Sequence, residues 1–322
     1  MSIDLGDVLS AATTYGDQRE AAARAEGDAA LAALRGEFDA YRATHPDLPP
    51  PPKPAPVAAK VIGMSAPKAD WATRLAEVGA TGVKARRIFA DLGVGPQHQS
   101  ALIEQTVAAG MLPVVSYKVG GNITGAASGT FDAVATQAAN YLASFNVPIA
   151  VSIWHEPNGD MTGPQFVAIQ QRLVPKFKIG KLRVGPILNG FLLTQPNQQP
   201  GQGVDEFTTY TTPALLDLWD WFGIDTYQPG TLSSPGALMP VERLRVLVDW
   251  LGKQGHPAMP VGVGEYNGFS AAAITGMGEG LLSIPNVWFG CLWNVDEARA
   301  GVLTGSRLDA YKATKADARA AH

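Results

Sequence analysis

Two stretches, Pro148-Ile-Ala-Val-Ser-Ile-Trp-His-Glu-Pro-Asn158 and Pro260-Val-Gly-Val-Gly-Glu-Tyr-Asn267, decide how the chain is read. Each opens on a proline, continues as a short apolar run and ends in a glutamate beside an aromatic side chain. An apolar run of this length, bounded by Pro and Gly, suits a strand covered on both faces. A carboxylate at the end of such a strand sits where loops converge and chemistry is carried out.

Similar runs recur on either side of these two. Strands are predicted over 61–64, 82–89, 112–117, 149–154, 182–188, 221–226, 261–264 and 287–293. Amphipathic segments at 71–78, 100–109, 131–145, 165–177 and 241–254 separate several of them. Eight strand units in about 260 residues predict a closed α/β (β/α)₈ barrel, the TIM-barrel fold. An open doubly wound sheet is the competitor. The first strand, Val61-Ile-Gly-Met-Ser-Ala-Pro67, carries no G-x-G-x-x-G turn for a dinucleotide, so the barrel is preferred.

Composition changes near Pro49. Residues 17–44 are rich in Ala, Glu, Arg and Asp, and Leu31, Leu34, Phe38 and Tyr41 form one helical stripe. That stripe fits a helix packed on the barrel or a short coiled coil joining identical chains, and both readings stand. The run from Leu48 through four prolines to Lys53-Pro-Ala-Pro56 predicts a stiff polyproline II spacer. The expected organisation is a helical arm at 1–47, a proline-rich linker at 48–58 and a catalytic barrel at 59–322.

Composition also narrows the function. The chain has 322 residues, 46% of them apolar, and a formal charge of -4, which leaves no basic footprint for nucleic acid. The lone Cys291 excludes an intrachain disulfide framework. The five histidines include no H-E-x-x-H pair, so neither a metal nor another cofactor is expected. The acidic start, Met1-Ser-Ile-Asp-Leu-Gly-Asp7, does not read as a signal peptide, and no apolar run is long enough for a membrane span. The expected location is therefore the cytoplasm, or the outside by a route other than a cleaved signal.

Glu156 and Glu265 lie 109 positions apart, yet a barrel would bring its fourth and seventh strands to one mouth. Two carboxyl groups of this kind suit glycoside hydrolysis, one as proton donor and the other as nucleophile or stabilising anion. The strand ends resemble those of glycoside hydrolase clan A, with Trp154-His-Glu-Pro-Asn158 most similar to family 26, the β-mannanases and related endo-glycanases. The resemblance spans about residues 60–310 at the level of pattern. It implies a retaining hydrolase with Glu156 as acid/base, Glu265 as nucleophile and His155 positioning the sugar or the neighbouring carboxylate. It also implies that Arg87 bonds the nucleophile, that the Tyr227 hydroxyl faces it, and that Trp293 forms a platform under the sugar. A cation beside one carboxylate keeps it ionised, while an apolar, anionic setting keeps the other protonated.

Further sugar contacts are expected from Tyr117, Tyr266 and Asn158, with Asp91, Asn189 and Asn267 as weaker candidates. Each has a plainer reading. A glutamate at a strand end is often a solvated loop residue, Arg86 could cap the rim, and Asp225 could be a structural hydrogen-bond partner. Gly120-Gly-Asn122 and Gly159-Asp160 read as loops around a groove. A sugar-binding barrel without catalysis is the alternative function, although it would not need both glutamates. An aldolase-type or metal-dependent barrel lacks its lysine or ligand cluster. Arm, spacer and hydrolase body resemble the layout of glycanase-bearing phage tail proteins. That layout implies virion tail partners and a bacterial surface glycan as substrate.

Overall fold

The computed structural model describes residues 60–195, 203–296 and 300–321. The arm expected at 1–47, its proposed role in oligomerisation and the linker at 48–58 all lie outside the described residues.

Nine parallel strands form one sheet: β1 (Val61–Ser65), β2 (Ala85–Asp91), β3 (Leu112–Lys118), β4 (Ile149–Ile153), β5 (Leu182–Val184), β6 (Ile187–Asn189), β7 (Phe222–Tyr227), β8 (Val261–Asn267) and β9 (Val287–Trp293). Their order is β5-β4-β3-β2-β1-β9-β8-β7-β6. The predicted fifth strand is present as two halves, β5 and β6, split at Gly185-Pro186, where proline has no N–H to give the ladder. Gly185 N–H donates to Val151 O (3.0 Å), Asp220 N–H to Val184 O (2.7 Å) and Gly223 N–H to Pro186 O (2.9 Å). The two halves thus bind β4 on one side and the β7 chain on the other, and the ring closes as an eight-stranded barrel. β7, β8 and β9 are its sixth, seventh and eighth strands.

Ten helices among the described residues surround the sheet: α1 (Trp71–Val78), α2 (Ser100–Ala108), α3 (Ile123–Ser128), α4 (Asp132–Ser144), α5 (Gly163–Phe177), α6 (Val204–Thr209), α7 (Pro213–Leu218), α8 (Pro240–Lys253), α9 (Ala271–Ser283) and α10 (Gly305–Ala316). Local chemistry sets several starts. Gln165 accepts from Thr162 N–H at the start of α5, and Ser270 accepts from Ala273 N–H at the start of α9. The Gly120-Gly-Asn122 segment leads straight into α3, because Asn122 Oδ1 accepts Gly125 N–H at 2.9 Å. No helix among the described residues is long and apolar enough to cross a membrane.

Strand alternation divides the core in two. One face packs on the helices through Ile62, Ile88, Val115, Val151 and Ile224. The other face fills the barrel with Ala85, Val114, Ala150, Ile187, Trp221, Phe289 and Cys291. Trp221 and Phe289 meet edge to face at 5.2 Å and are both fully buried. Removing one such ring from water stabilises the fold by at most about 4–6 kcal/mol. Small residues make the space. A Cβ at Gly223 would lie 2.7 Å from the Trp221 ring, and one at Gly262 would overlap Phe289.

Gly63 is a further case, since its Cβ would stand 2.5 Å from Ala85 Cβ and 2.7 Å from Ala85 O, a backbone atom that cannot step aside. Gly63→Ala is expected to destabilise the fold by about 1–3 kcal/mol through overpacking. Gly252→Ala, in α8 with nothing within 4 Å, is expected to stabilise it by a few tenths to about 1 kcal/mol through helix propensity. Urea midpoints of the two variants check both signs. A midpoint that does not fall for Gly63→Ala contradicts the packing at β1 and β2.

Candidate active site

Above the apolar plug the barrel turns polar. Arg87 on β2, Ser116 on β3, Ser152 on β4, Asp225 on β7 and Glu265 on β8 are all buried, at 1–5% exposure, close to the C-terminal ends of their strands. Glu156 follows β4 and is half-buried.

Glu265 faces inward because β8 carries an extra residue. The register runs Gly223 to Gly262 and Ile224 to Val263, then jumps so that Asp225 pairs with Glu265, skipping Gly264. Val261 and Val263 face the helices. Strict alternation would send residue 265 the same way, and the bulge turns it into the barrel instead. Gly264 is required there: a Cβ would lie 2.5 Å from Asp225 Oδ1 and 2.8 Å from Ile187 Cδ1.

Glu265 Oε2 accepts the Tyr227 hydroxyl at 2.5 Å. Burial, then the Glu265 and Asp225 carboxyls, push the Tyr227 pKa far up, so it remains a donor at any ordinary pH. Tyr227 is held in turn. Arg243 donates to Tyr227 O and to Thr194 Oγ1, bracing the end of β7 from α8.

The chain around Glu156 is strained and firmly fixed. Trp154 and Glu156 both have left-handed backbones, with φ of 61° and 46°, which non-glycine residues rarely adopt. Trp154 N–H donates to Tyr117 O and Glu156 N–H to Ile187 O, each at 2.8 Å. The indole of Trp154 donates to Asp160 Oδ2, which also pairs with Lys118. These contacts hold the conformation that points Glu156 into the mouth.

A cavity of about 390 Å³ is lined by Glu156, Asp225, Tyr227, Asn189, Phe191 and Phe269 among others, and Glu265 is joined to it through the Tyr227 hydroxyl. Both glutamates act electrostatically on Asp225 and on Tyr227, so all four share one field. Asp225 is almost fully buried, and among the described residues neither of its oxygens has a well-formed hydrogen bond. Burial first, then Glu265 and Glu156, hold its pKa well above the carboxylate range, with Arg87 opposing. Asp225 is therefore harder to ionise than an ordinary carboxyl group, beside two glutamates. The sequence had left its role open.

Other expected contacts divide into those at the mouth and those elsewhere. Arg87 reaches the site, but its three guanidinium nitrogens are buried without a hydrogen-bond partner among the described residues. Its guanidinium carbon sits 4.8 Å from the centre of the Phe89 ring. The expected bond from Arg87 to Glu265 is thus not formed, and the Tyr227 hydroxyl makes that contact instead. Phe89, two residues on and on the same face, also meets His155 and Trp293 edge to face at 5.2 and 5.9 Å. Burial, then Arg87 and Lys118, hold the His155 pKa well below its usual value, so the imidazole is neutral. Its Nδ1, Trp293 Nε1 and Asn158 Oδ1 are buried without hydrogen-bond partners among the described residues, leaving polar atoms for a hydroxylated ligand.

Tyr117 is a correction. Ser116 takes the inward position, so Tyr117 points outward, fully buried 5.6 Å from the Phe177 ring of α5, and offers no face to a sugar. Tyr266 is turned out in the same way by the bulge and is also fully buried. Asn267 spends its amide on Trp293 O, Gly301 O and Gly268 N–H, and Asp91 accepts from Gly93 and Gly120. These two shape loops rather than contact a ligand. Arg86 stacks on Trp71 at 4.0 Å outside the barrel, where burial lowers its pKa to about 10. Burial pushes the Cys291 thiol up to about 12, which removes it as a nucleophile. Among the described residues no three His, Cys, Asp or Glu side chains are grouped to hold a metal.

No protein-family profile matches the sequence, and no curated protein is significantly similar to it. Solved structures do share the fold. One is a family 5 enzyme described in complex with a cellotriose, at 12% identity and a TM-score of 0.55, covering 82% of this chain and 99% of that one. A family 5 glycoside hydrolase of Bifidobacterium longum, in complex with a mannosyl-N-acetylglucosamine disaccharide, gives 12% identity and a TM-score of 0.54, covering 81% and 79%. A broad-specificity endoglucanase of Clostridium cellulovorans gives 14% identity and a TM-score of 0.53, covering 80% and 95%. At these identities the likeness is one of fold, and the neighbours named are of family 5, not the expected family 26.

The raised Asp225 pKa makes a stability prediction. In the unfolded chain this acid ionises near its ordinary value, and in the fold only well above it. The folded state therefore holds a proton that the unfolded state loses as pH rises, and stability falls across that window. Asp225→Asn removes the penalty. Between pH 5 and pH 8 the natural protein is expected to lose more thermal stability than the variant. Parallel melting curves would mean that Asp225 is ionised in the fold.

Proposed function

We propose that this chain is a retaining glycoside hydrolase of clan A that cleaves a polysaccharide. The observation that carries the reading is that Glu156 and Tyr227 line one cavity, that the Tyr227 hydroxyl is bonded to Glu265, and that both glutamates act electrostatically on buried Asp225 in the same lining. Glycosidase structures of the same fold support it, two of them described with bound oligosaccharides.

In the first step Glu265 attacks the anomeric carbon through Oε1 while the Tyr227 hydroxyl holds Oε2. Glu156 gives its proton to the glycosidic oxygen, that C–O bond breaks, and the shortened chain departs as an alcohol. In the second step Glu156, now a carboxylate, takes a proton from water. The resulting hydroxyl attacks the same carbon, and Glu265 leaves as a carboxylate. Neutral His155 and the Phe89–Trp293 aromatic wall would flank the sugar, and Asn158 would take one of its hydroxyls. Buried, unpartnered Arg87 keeps positive charge beneath a mouth that carries two glutamates.

The Trp154-His-Glu-Pro-Asn158 element continues to favour family 26 within the clan, while the named fold neighbours are of family 5. The layout of residues 1–58 supports a tethered enzyme, as in a phage tail acting on a bacterial surface glycan. A binding barrel without catalysis is the second reading. It is disfavoured by the strain spent on aiming Glu156 and the bulge spent on aiming Glu265.

The test is hydrolysis of a panel of bacterial and plant polysaccharides by the full chain. Glu156→Ala and Glu265→Ala are each expected to stay folded and to lose at least about 10³-fold in kcat/KM. Azide should restore turnover to Glu265→Ala and yield a glycosyl azide. Full activity in the Glu265 variant overturns the assignment, and absence of rescue points to inversion.

A further inference from the structure

A second cavity, of about 640 Å³, opens at the N-terminal end of the barrel, away from both glutamates. Its floor is Trp288, half-buried, with its ring braced edge-on by Trp221 at 6.2 Å and Phe289 at 5.3 Å. Pro148, Pro260 and Pro285 give it flat apolar walls. This end of a barrel ordinarily carries only stability, so an open aromatic floor there is unusual.

The charges around it are one-sided. Lys60 is 3% exposed and gives its ammonium to the carbonyls of Ile284, Pro285 and Val287, which fixes a positive charge without a carboxylate. Among the described residues, Lys181 donates to the Asn146 carbonyl, at 2.8 Å, and pairs with no carboxylate. Arg183 on β5 is exposed and makes one long contact, 3.4 Å, with the carbonyl of Leu182. The single carboxylate in the lining, Asp220, is already engaged by Lys178 at 3.0 Å and by Val184 N–H at 2.8 Å. A chain with a net charge of -4 therefore gathers three cations around one tryptophan, none of them paired with a carboxylate among the described residues.

We propose that this groove is a second, non-catalytic carbohydrate site that takes an acidic oligosaccharide. A pyranose ring lies on Trp288, and a uronate carboxylate is held by the Arg183 fork with Lys181 beside it. The indole supplies a flat apolar face for sugar C–H groups, and the guanidinium matches a carboxylate with two parallel N–H donors. A neutral glycan would leave the cations unused, and an acidic peptide would leave the flat floor and proline walls unfilled. The site shares no residue with the catalytic mouth, so the proposal stands or falls apart from hydrolysis.

The test is calorimetric titration of the full chain with hexagalacturonate, cellohexaose and hexaglutamate. Hexagalacturonate alone is expected to bind, and more weakly as NaCl rises from about 0.02 to 0.5 M. Arg183→Glu, an exposed change that spares the fold, is expected to weaken it at least about tenfold, and Trp288→Ala similarly. Glu265→Ala should bind as the natural protein does, and Arg183→Glu should leave hydrolysis of a small chromogenic glycoside unchanged. Equal binding of cellohexaose or of hexaglutamate, indifference to Arg183→Glu, or no binding of any probe overturns the proposal.

Discussion

The candidate site depends on one extra residue in β8. Parallel strands alternate their side chains strictly, and Val261 and Val263 have committed the odd positions of this strand to the helices. Pairing Asp225 with Glu265 instead of with Gly264 breaks that alternation at one point. The slip places Glu265, Asp225 and Tyr227 on the same inner surface and sends Tyr266 outward into the core. It also accounts for glycine at 264, where any side chain would strike the Asp225 carboxyl. Without the slip the carboxylate would be buried among helix-facing aliphatic groups, where its charge could not persist.

The mouth concentrates features that work against stability. Among the described residues the side chains of Arg87 and Asp225 are buried without a well-formed hydrogen bond, and Trp154 and Glu156 have backbones of the wrong hand for their residue types. Each costs on the order of 1–3 kcal/mol. Buried Arg243 and Arg307 offset part of this by tying strand ends and loops around the mouth into place. Arg307 donates to the carbonyls of Gly268, Ala300 and Val302, and Arg243 to that of Tyr227. Strain grouped at one end of a barrel whose other layers are closely packed is what preorganised chemistry requires.

Much of this was legible in the sequence because two periods are written into it. Apolar runs with Pro and Gly at their ends gave all eight barrel strands, and β9 and α1 match the predicted limits. The fifth strand was read as continuous, although Pro186 marks the break that leaves Ile187 O free to hold Glu156. Helices α3, α6, α7, α9 and α10 are not among the segments the sequence marks. Glycines at 276, 278 and 280 and an apolar face nearly all the way round obscure the amphipathic signal of α9. Glu156, Glu265 and Tyr227 were found from strand ends. Tyr117 was misjudged because only register separates it from Ser116, and register is a property of the closed ring. The role of Asp225 depends on neighbours 40 and 69 positions away, Glu265 and Glu156, which no local pattern conveys. Arg243 and Arg307 look like ordinary surface residues of amphipathic helices.

The split fifth strand connects fold to chemistry in one further respect. A barrel strand normally gives its hydrogen bonds to two neighbouring strands along its whole length, and a continuous fifth strand would occupy the Ile187 carbonyl in that ladder. Gly185-Pro186 ends the β4 pairing early. Ile187 O then becomes the acceptor for Glu156 N–H, and the β6 half continues alone alongside β7 as far as Asn189 and Asp225. The same interruption therefore anchors the strained turn that aims one glutamate and supports the strand that presents the partners of the other. An uninterrupted strand would make a more regular barrel, yet it would give Glu156 no fixed direction.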